Sequence, residues 1–222
     1  MTELDDRGYA IAPRVVDPRE VGTVGRAIDR LALRSAGTRN LLARPWCRAF
    51  VQRIKSRLAS AGAFPASFVA VQCTLFDKTA NRNWLVALHQ DLSIPVRARV
   101  DHPSLGAWSR KESAHFVQPP SETLERLVAV RVHIDDCGNE NGPLRVVPRS
   151  HTVGRLAPSA AFELRAKLGE EPCLVKSGDA LLMRPLLLHA SSKAQAPSRR
   201  RVVHMLFGPP ALPHGLQWKH AV

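Results

Sequence analysis

His89 and Asp91 stand two apart at the end of an apolar run that opens at Trp84, and His189 follows 100 residues later, after Leu186-Leu187-Leu188. In an extended chain, residues i and i+2 project to the same face, so the imidazole and the carboxylate can reach one ion. A second imidazole from a distant strand would complete a 2-His-1-carboxylate set. That set suits non-haem Fe(II) and leaves positions open for a bidentate co-substrate and for oxygen. His-x-Asp alone recurs by chance, so the weight of this reading rests on the residues around it.

Two stretches have the apolar spacing of helices and are expected to pack on the outside of a sheet. Val21, Val24, Ile28 and Leu31 form an apolar stripe over residues 17–35, with Asp17-Pro18 as cap and first turn. Phe50, Ile54 and Leu58 form another over 45–61. From Phe68 the pattern becomes short β segments: Phe68–Phe76, Trp84–His89, Leu127–Ile134, Leu144–Val147, Cys173–Val175, Ala180–Met183, Leu186–His189 and Val202–Phe207. Asn141-Gly142-Pro143, Val147-Pro148 and Ser177-Gly178-Asp179 punctuate them. Many short strands with such turns predict a jelly-roll type of sandwich or barrel. The expected organisation is one domain: an N-terminal helical segment, 1–65, packed on a β core, 66–222. Residues 95–120 are polar and weakly periodic, and are expected to form a lid or surface loop.

The second half of the chain runs Asn141-Gly142-Pro143-Leu144-Arg145-Val146-Val147-Pro148-Arg149-Ser150-His151, then Gly178-Asp179-Ala180, His189-Ala190-Ser191 and Arg200. In order and approximate spacing, over roughly 68–210, this series resembles the phytanoyl-CoA dioxygenase (PhyH) family of Fe(II)- and 2-oxoglutarate-dependent oxygenases. The resemblance implies a mainly β fold with N-terminal helices, a double-stranded β-helix (jelly roll, cupin-like), with His89, Asp91 and His189 as iron ligands. It also implies 2-oxoglutarate and O2 as co-substrates, and release of succinate and CO2. Arg200, eleven residues after His189, matches the family's arginine for the distal carboxylate of 2-oxoglutarate, where a guanidinium offers a bidentate fork. Ser191 matches a hydroxyl on the same co-substrate, and Lys78 a lysine at its pocket. Related halogenases lack the carboxylate ligand, so Asp91 points to hydroxylation.

Strand alternation puts Arg199 and Arg201 on the face opposite Arg200. Arg131 and His133 share a face of their strand; Arg131 is expected to touch co-substrate or substrate, since a buried arginine is costly unless paired. Trp84, Trp108, Lys111 and His133 are candidate substrate contacts, with Trp108-Ser109-Arg110-Lys111 as the lid tip. His204 shares the parity of Arg200 and reads as a satisfied core histidine. His151 reads as a turn residue, and His102, His115, His214 and His220 as loop residues.

The 32 Lys and Arg against 19 Asp and Glu give a formal net charge of +13. The excess favours anionic ligands, and a small organic substrate with an anionic group is expected. Aromatics make up only 5%, and no nucleic-acid reading element is present, so a nucleic-acid partner is not expected. No apolar run is long enough for a membrane span, and the N-terminus lacks signal-peptide character, so the expectation is a cytoplasmic protein with no membrane contact. Four scattered cysteines suit reduced thiols. The competing readings are a cupin-like metal hydrolase or isomerase on the same three ligands, and a non-catalytic ligand-binding jelly roll.

Overall fold

The computed structural model describes residues 2–31, 37–195 and 199–222. In chain order it contains α1 (Glu3–Arg7), β1 (Tyr9–Ala12), α2 (Pro18–Asp29), β2 (Gly37–Thr38), α3 (Pro45–Ser60), β3 (Val69–Lys78), β4 (Val86–His89) and β5 (Ile94–Val96). It continues with β6 (Gly106–Lys111), β7 (Ala114–Gln118), α4 (Ser121–Glu125), β8 (Val128–His133), β9 (Leu144–Val146), α5 (Pro158–Leu168) and β10 (Glu171–Cys173), then β11 (Ala180–Met183), β12 (His189–Ser191) and β13 (Arg200–Gly208).

Asp17 starts α2 by accepting the Glu20 N–H at 2.9 Å, and Pro18 occupies the first turn, where its missing N–H costs nothing. Val24 and Ile28 of α2, and Phe50, Ile54 and Leu58 of α3, are buried against the sheet. The two helices are tied together by Glu20, whose carboxylate oxygens accept from Arg53 Nε and Arg57 Nη1, each at 2.6 Å. Residues 32–35 of the expected first helix lie outside the described residues.

Two antiparallel sheets face each other as a jelly roll. The larger has the order β1-β11-β8-β13-β3-β2 and the smaller β10-β9-β12-β4. Strand β8 lies within the larger sheet and is buried along its whole length. Its alternation sorts two cores: Val128, Val130 and Val132 pack toward the helices, while Ala129 joins the cluster between the sheets. Arg131 and His133 share the parity of Ala129, so that inter-sheet face carries a guanidinium and an imidazole as well as apolar groups.

Three expectations change. The first 65 residues are more than a helical layer, because β1 and β2 form the two edges of the larger sheet. The stretch 95–120 is not a structureless lid: β5, β7 and β6 form a three-stranded antiparallel sheet. Its hairpin turns at Glu112-Ser113 with φ of 45° and 65°, the left-handed pair that a two-residue turn requires and that neither residue type advertises. His115 accordingly lies on a strand. Finally, the Leu186–Leu188 run precedes its strand instead of forming it, since β12 begins at His189.

Candidate active site

The two strands that carry the histidines are neighbours in the smaller sheet, and His189 pairs directly with His89 across the ladder. Their rings lie 4.2 Å apart between centroids. Each Nδ1 sits on the carbonyl oxygen two residues earlier, His89 on Ala87 at 2.8 Å and His189 on Leu187 at 2.9 Å. With Nδ1–H donating there, both Nε2 atoms keep their lone pairs for an ion.

Asp91 lies just past the end of β4, and its N–H donates to Pro185 O at 2.9 Å. Its carboxylate oxygens are 3.7 Å from His89 Nε2 and 3.8 Å from His189 Nε2. The candidate ligand atoms of the three residues all lie within 4.8 Å of one another, a spacing that one ion can bridge.

Gln90, between the two ligands, fixes this geometry. Its amide nitrogen donates to Gly154 O at 2.8 Å and Leu186 O at 2.7 Å, and its amide oxygen accepts the Leu156 N–H at 2.9 Å. Ser150 does the same for the other ligand strand, accepting the Leu188 N–H at 2.8 Å next to His189.

The electrostatics suit a cation. Burial pushes the Asp91 carboxyl up, but the facing His89 and the other imidazoles around it outweigh this and hold it well below the usual carboxylate range. Burial pushes His189 down to about 4, which keeps it neutral and able to ligate at neutral pH. Burial also opposes the charge on His89, but Asp91 and the Ala87 carbonyl prevail and raise its pKa.

The triad opens on a cavity of about 460 Å³ between the sheets. Arg200, Ser191, Arg131, Trp84 and Lys111 line it, in addition to the three candidate ligands. Arg200 is 5% exposed, and among the described residues its Nε has no hydrogen-bond partner and its Nη1 meets only Cys137 Sγ at 3.6 Å. The neighbouring arginines point outward as alternation requires: Arg199 pairs with Asp77 and Asp29, and Arg201 with Asp135 and Asp29.

Lys78 is cross-strand partner to Arg200 but sits behind the cavity wall. Its Nζ donates to Ser192 O at 2.7 Å, with Ser191 Oγ at 3.4 Å and the Trp84 ring at 5.2 Å. Burial and Arg200 push it down to about 8. It is therefore placed to orient Ser191. Gly142 helps from the other side: with φ of 61°, its backbone approaches so closely that a Cβ would collide with Ser192 O.

Trp108 and His133 are not brought to the cavity. Trp108 packs at the rim of the inter-sheet core with Arg99 over its ring at 5.6 Å. His133 is buried with an unpartnered Nδ1. His151 is also remote, reaching Asp5 O at 3.1 Å through Nε2. Residues that the sequence reading did not select line the cavity too: Gln72, Thr74 and Phe76 on β3, and Gln118 on β7. The first three share the parity of Lys78, the signal from which they were recoverable.

A family model described as phytanoyl-CoA dioxygenase (PhyH) matches residues 4–202. No curated protein sequence shows significant similarity to the chain. Among solved structures, AviO1 from Streptomyces viridochromogenes Tue57 is similar at 22% identity and a TM-score of 0.69, over 95% of this chain and 94% of that one. HygX from Streptomyces hygroscopicus, a structure with nickel and 2-oxoglutarate bound, is similar at 18% identity and a TM-score of 0.64, over 93% and 84%. The epimerase SnoN, in complex with Fe3+, alpha ketoglutarate and nogalamycin RO, is similar at 14% identity and 0.69, over 96% and 84%. At these identities the likeness is one of fold. The family match spans nearly the whole chain, and the chain belongs to the phytanoyl-CoA dioxygenase (PhyH) family.

Proposed function

We propose that the protein is an Fe(II)- and 2-oxoglutarate-dependent oxygenase that hydroxylates a small organic molecule. The observation that carries this reading is the meeting of two features in one cavity: three metal donors within 4.8 Å of one another, and a buried Arg200 whose Nε has no partner among the described residues. The fit to the cofactor pair is chemical. Two imidazoles and a carboxylate suit Fe(II), and an uncompensated buried guanidinium is costly unless an anion such as the distal carboxylate of 2-oxoglutarate meets it. The bound HygX and SnoN structures support the same pair.

In this reading His89 Nε2, His189 Nε2 and the Asp91 carboxylate would hold the iron from one side. Iron with 2-oxoglutarate supplies oxygen activation coupled to oxidative decarboxylation of the co-substrate. The chain's own residues do the rest. Ala87 and Leu187 carbonyls fix the imidazole tautomers, and Gln90 holds the chain between two ligands in place. Arg200 receives the distal carboxylate, and Lys78 sets the Ser191 hydroxyl beside it. The β6–β7 hairpin, through Lys111, Phe116 and Gln118, walls the cavity and limits water.

Anaerobic titration of the Fe(II)-loaded protein with 2-oxoglutarate tests the reading. The expected result is a weak visible charge-transfer band in the wild type, and at least about a tenfold higher co-substrate requirement in Arg200→Ala, in line with losing one partner of a buried charge pair. No band, together with no calorimetric binding, sinks the oxygenase reading and favours a metal hydrolase or isomerase.

A further inference from the structure

The co-substrate site leaves one buried cation unexplained. Arg131 is 7% exposed and lines the cavity, yet among the described residues no carboxylate pairs with it. Its Nη1 donates to His204 Nδ1 at 3.3 Å, its guanidinium carbon lies 5.2 Å from the Phe76 ring centroid, and its Nε has no partner. The Nε–Nη2 edge is the side of a guanidinium that matches two oxygens of one anion, and here no protein acceptor occupies it among the described residues.

The cross-strand register sets this arginine in a row of donors. His204 on β13 is the cross-strand partner of both Arg131 on β8 and Thr74 on β3. Because His204 Nδ1 accepts from Arg131, its proton resides on Nε2. Thr74 Oγ1 accepts from Gln72 Nε2 at 3.0 Å, which frees its hydroxyl hydrogen to donate. Three side chains therefore present donors to the cavity. Arg200 lies four residues before His204 on β13, about 13 Å along the strand at roughly 3.3 Å per residue, so the two guanidinium groups are anchored at different levels.

Charge points the same way. Among the described residues that line the cavity, Lys111, Arg131 and Arg200 face a single carboxylate, Asp91, which is already engaged by His89 and His189, while the fourth lining cation, Arg39, pairs with Glu112 at 3.6 Å. A metal dication and a co-substrate dianion cancel each other and leave that excess in place. We propose that Arg131, His204 and Thr74 form a second oxyanion site, which holds a carboxylate or phosphate group of the substrate. That the anion belongs to a substrate rests on the oxygenase reading; the existence of the oxyanion site does not.

The test follows the Arg Nε–H signals by NMR in the 15N-labelled, Zn(II)-loaded full chain, assigned through bonds in the wild type. The chain is saturated with 2-oxoglutarate and then titrated with propionate and, separately, with inorganic phosphate. The expected result is that 2-oxoglutarate moves the Arg200 signal and that at least one probe then moves the Arg131 signal saturably. The probe that does so identifies the oxyanion. Its affinity should fall about tenfold or more in Arg131→Gln and less in Thr74→Val, while 2-oxoglutarate affinity stays within about threefold. The proposal is overturned if 2-oxoglutarate itself saturates the Arg131 signal, or if neither probe moves it. If 2-oxoglutarate moves no signal, the oxygenase reading fails, and the Arg131 response to the two probes still decides the oxyanion site.

Discussion

His89 and His189 are direct cross-strand partners, and each turns its Nδ1 onto the carbonyl oxygen two residues earlier in its own chain. The repeated arrangement aims both Nε2 atoms at one point, so the metal geometry is built into the backbone of two adjacent strands. Asp91 completes it from a non-ladder position that Gln90 and Pro185 hold.

Removing Asp91 should therefore abolish metal binding without unfolding the chain. At a metal concentration about 100-fold above Kd, the wild type should gain roughly 2.7 kcal/mol of stability. Asp91→Ala should gain none, because losing a direct ligand costs more than the 10–100-fold typical of an outer partner. Thermal melts with and without Fe(II) or Zn(II) check this, and an undiminished metal-induced shift in the variant would rule out the triad.

Gln90 touches no ion in this arrangement, yet it should matter. Gln90→Leu loses three hydrogen bonds to backbone groups on two segments, Gly154–Leu156 and Leu186. Metal affinity should drop about 10–100-fold, and stability by about 1–3 kcal/mol through the unsatisfied partners. Metal titration and urea denaturation of the same variant measure the two effects separately.

Arg200 and Arg201 are adjacent in sequence and should behave oppositely. Arg201→Ala breaks the fork to Asp135 and the contact with Asp29, so it should cost about 1–3 kcal/mol of stability and leave 2-oxoglutarate binding intact. Arg200→Ala removes an unpaired buried cation, so the metal-free protein should keep or gain stability while co-substrate affinity falls. Equal stability losses in both variants would contradict the inward and outward assignment.

Acid should destabilise the metal-free protein partly through His133. Burial, Arg131 and Arg200 push its pKa down to about 3, against 6.5 for the free side chain. Below pH 6.5 the unfolded chain takes up a proton that the folded chain refuses, so stability is full above that value and declines as pH falls toward 3. From pH 7 to pH 5 this one group should account for about 2 kcal/mol. Urea denaturation at the two pH values, compared with His133→Leu, isolates it; an unchanged difference in the variant would assign the acid sensitivity to other histidines.

Local sequence determined a good deal. Asp17-Pro18 and the Val24/Ile28 stripe specify α2, because capping and amphipathic spacing act within one or two turns. Alternation on β13 separates Arg200 from Arg199 and Arg201, because side chains of a strand must point to opposite faces. The His89, Asp91 and His189 set was legible because its types and order match a family pattern. By contrast, β1, β2, β5, β6 and β7 were not legible, since short edge strands and a hairpin with Glu112-Ser113 at its turn carry little local signal.

What only the tertiary structure decided is which side chains share a space. The family resemblance points to Lys78 as a pocket cation and strand parity points to Arg131; packing sets Lys78 behind Ser191 and Ser192 and leaves the side of Arg131 bare toward the cavity. Trp108 and Lys111 lie three apart in one strand, an odd spacing that sends them to opposite faces, and only the packing of the hairpin decides that the Lys111 face is the one on the cavity. Such differences depend on the register between distant strands and on which residue accepts each hydrogen bond. Both are set when the two sheets close on each other, and neither is encoded in spacing along the chain.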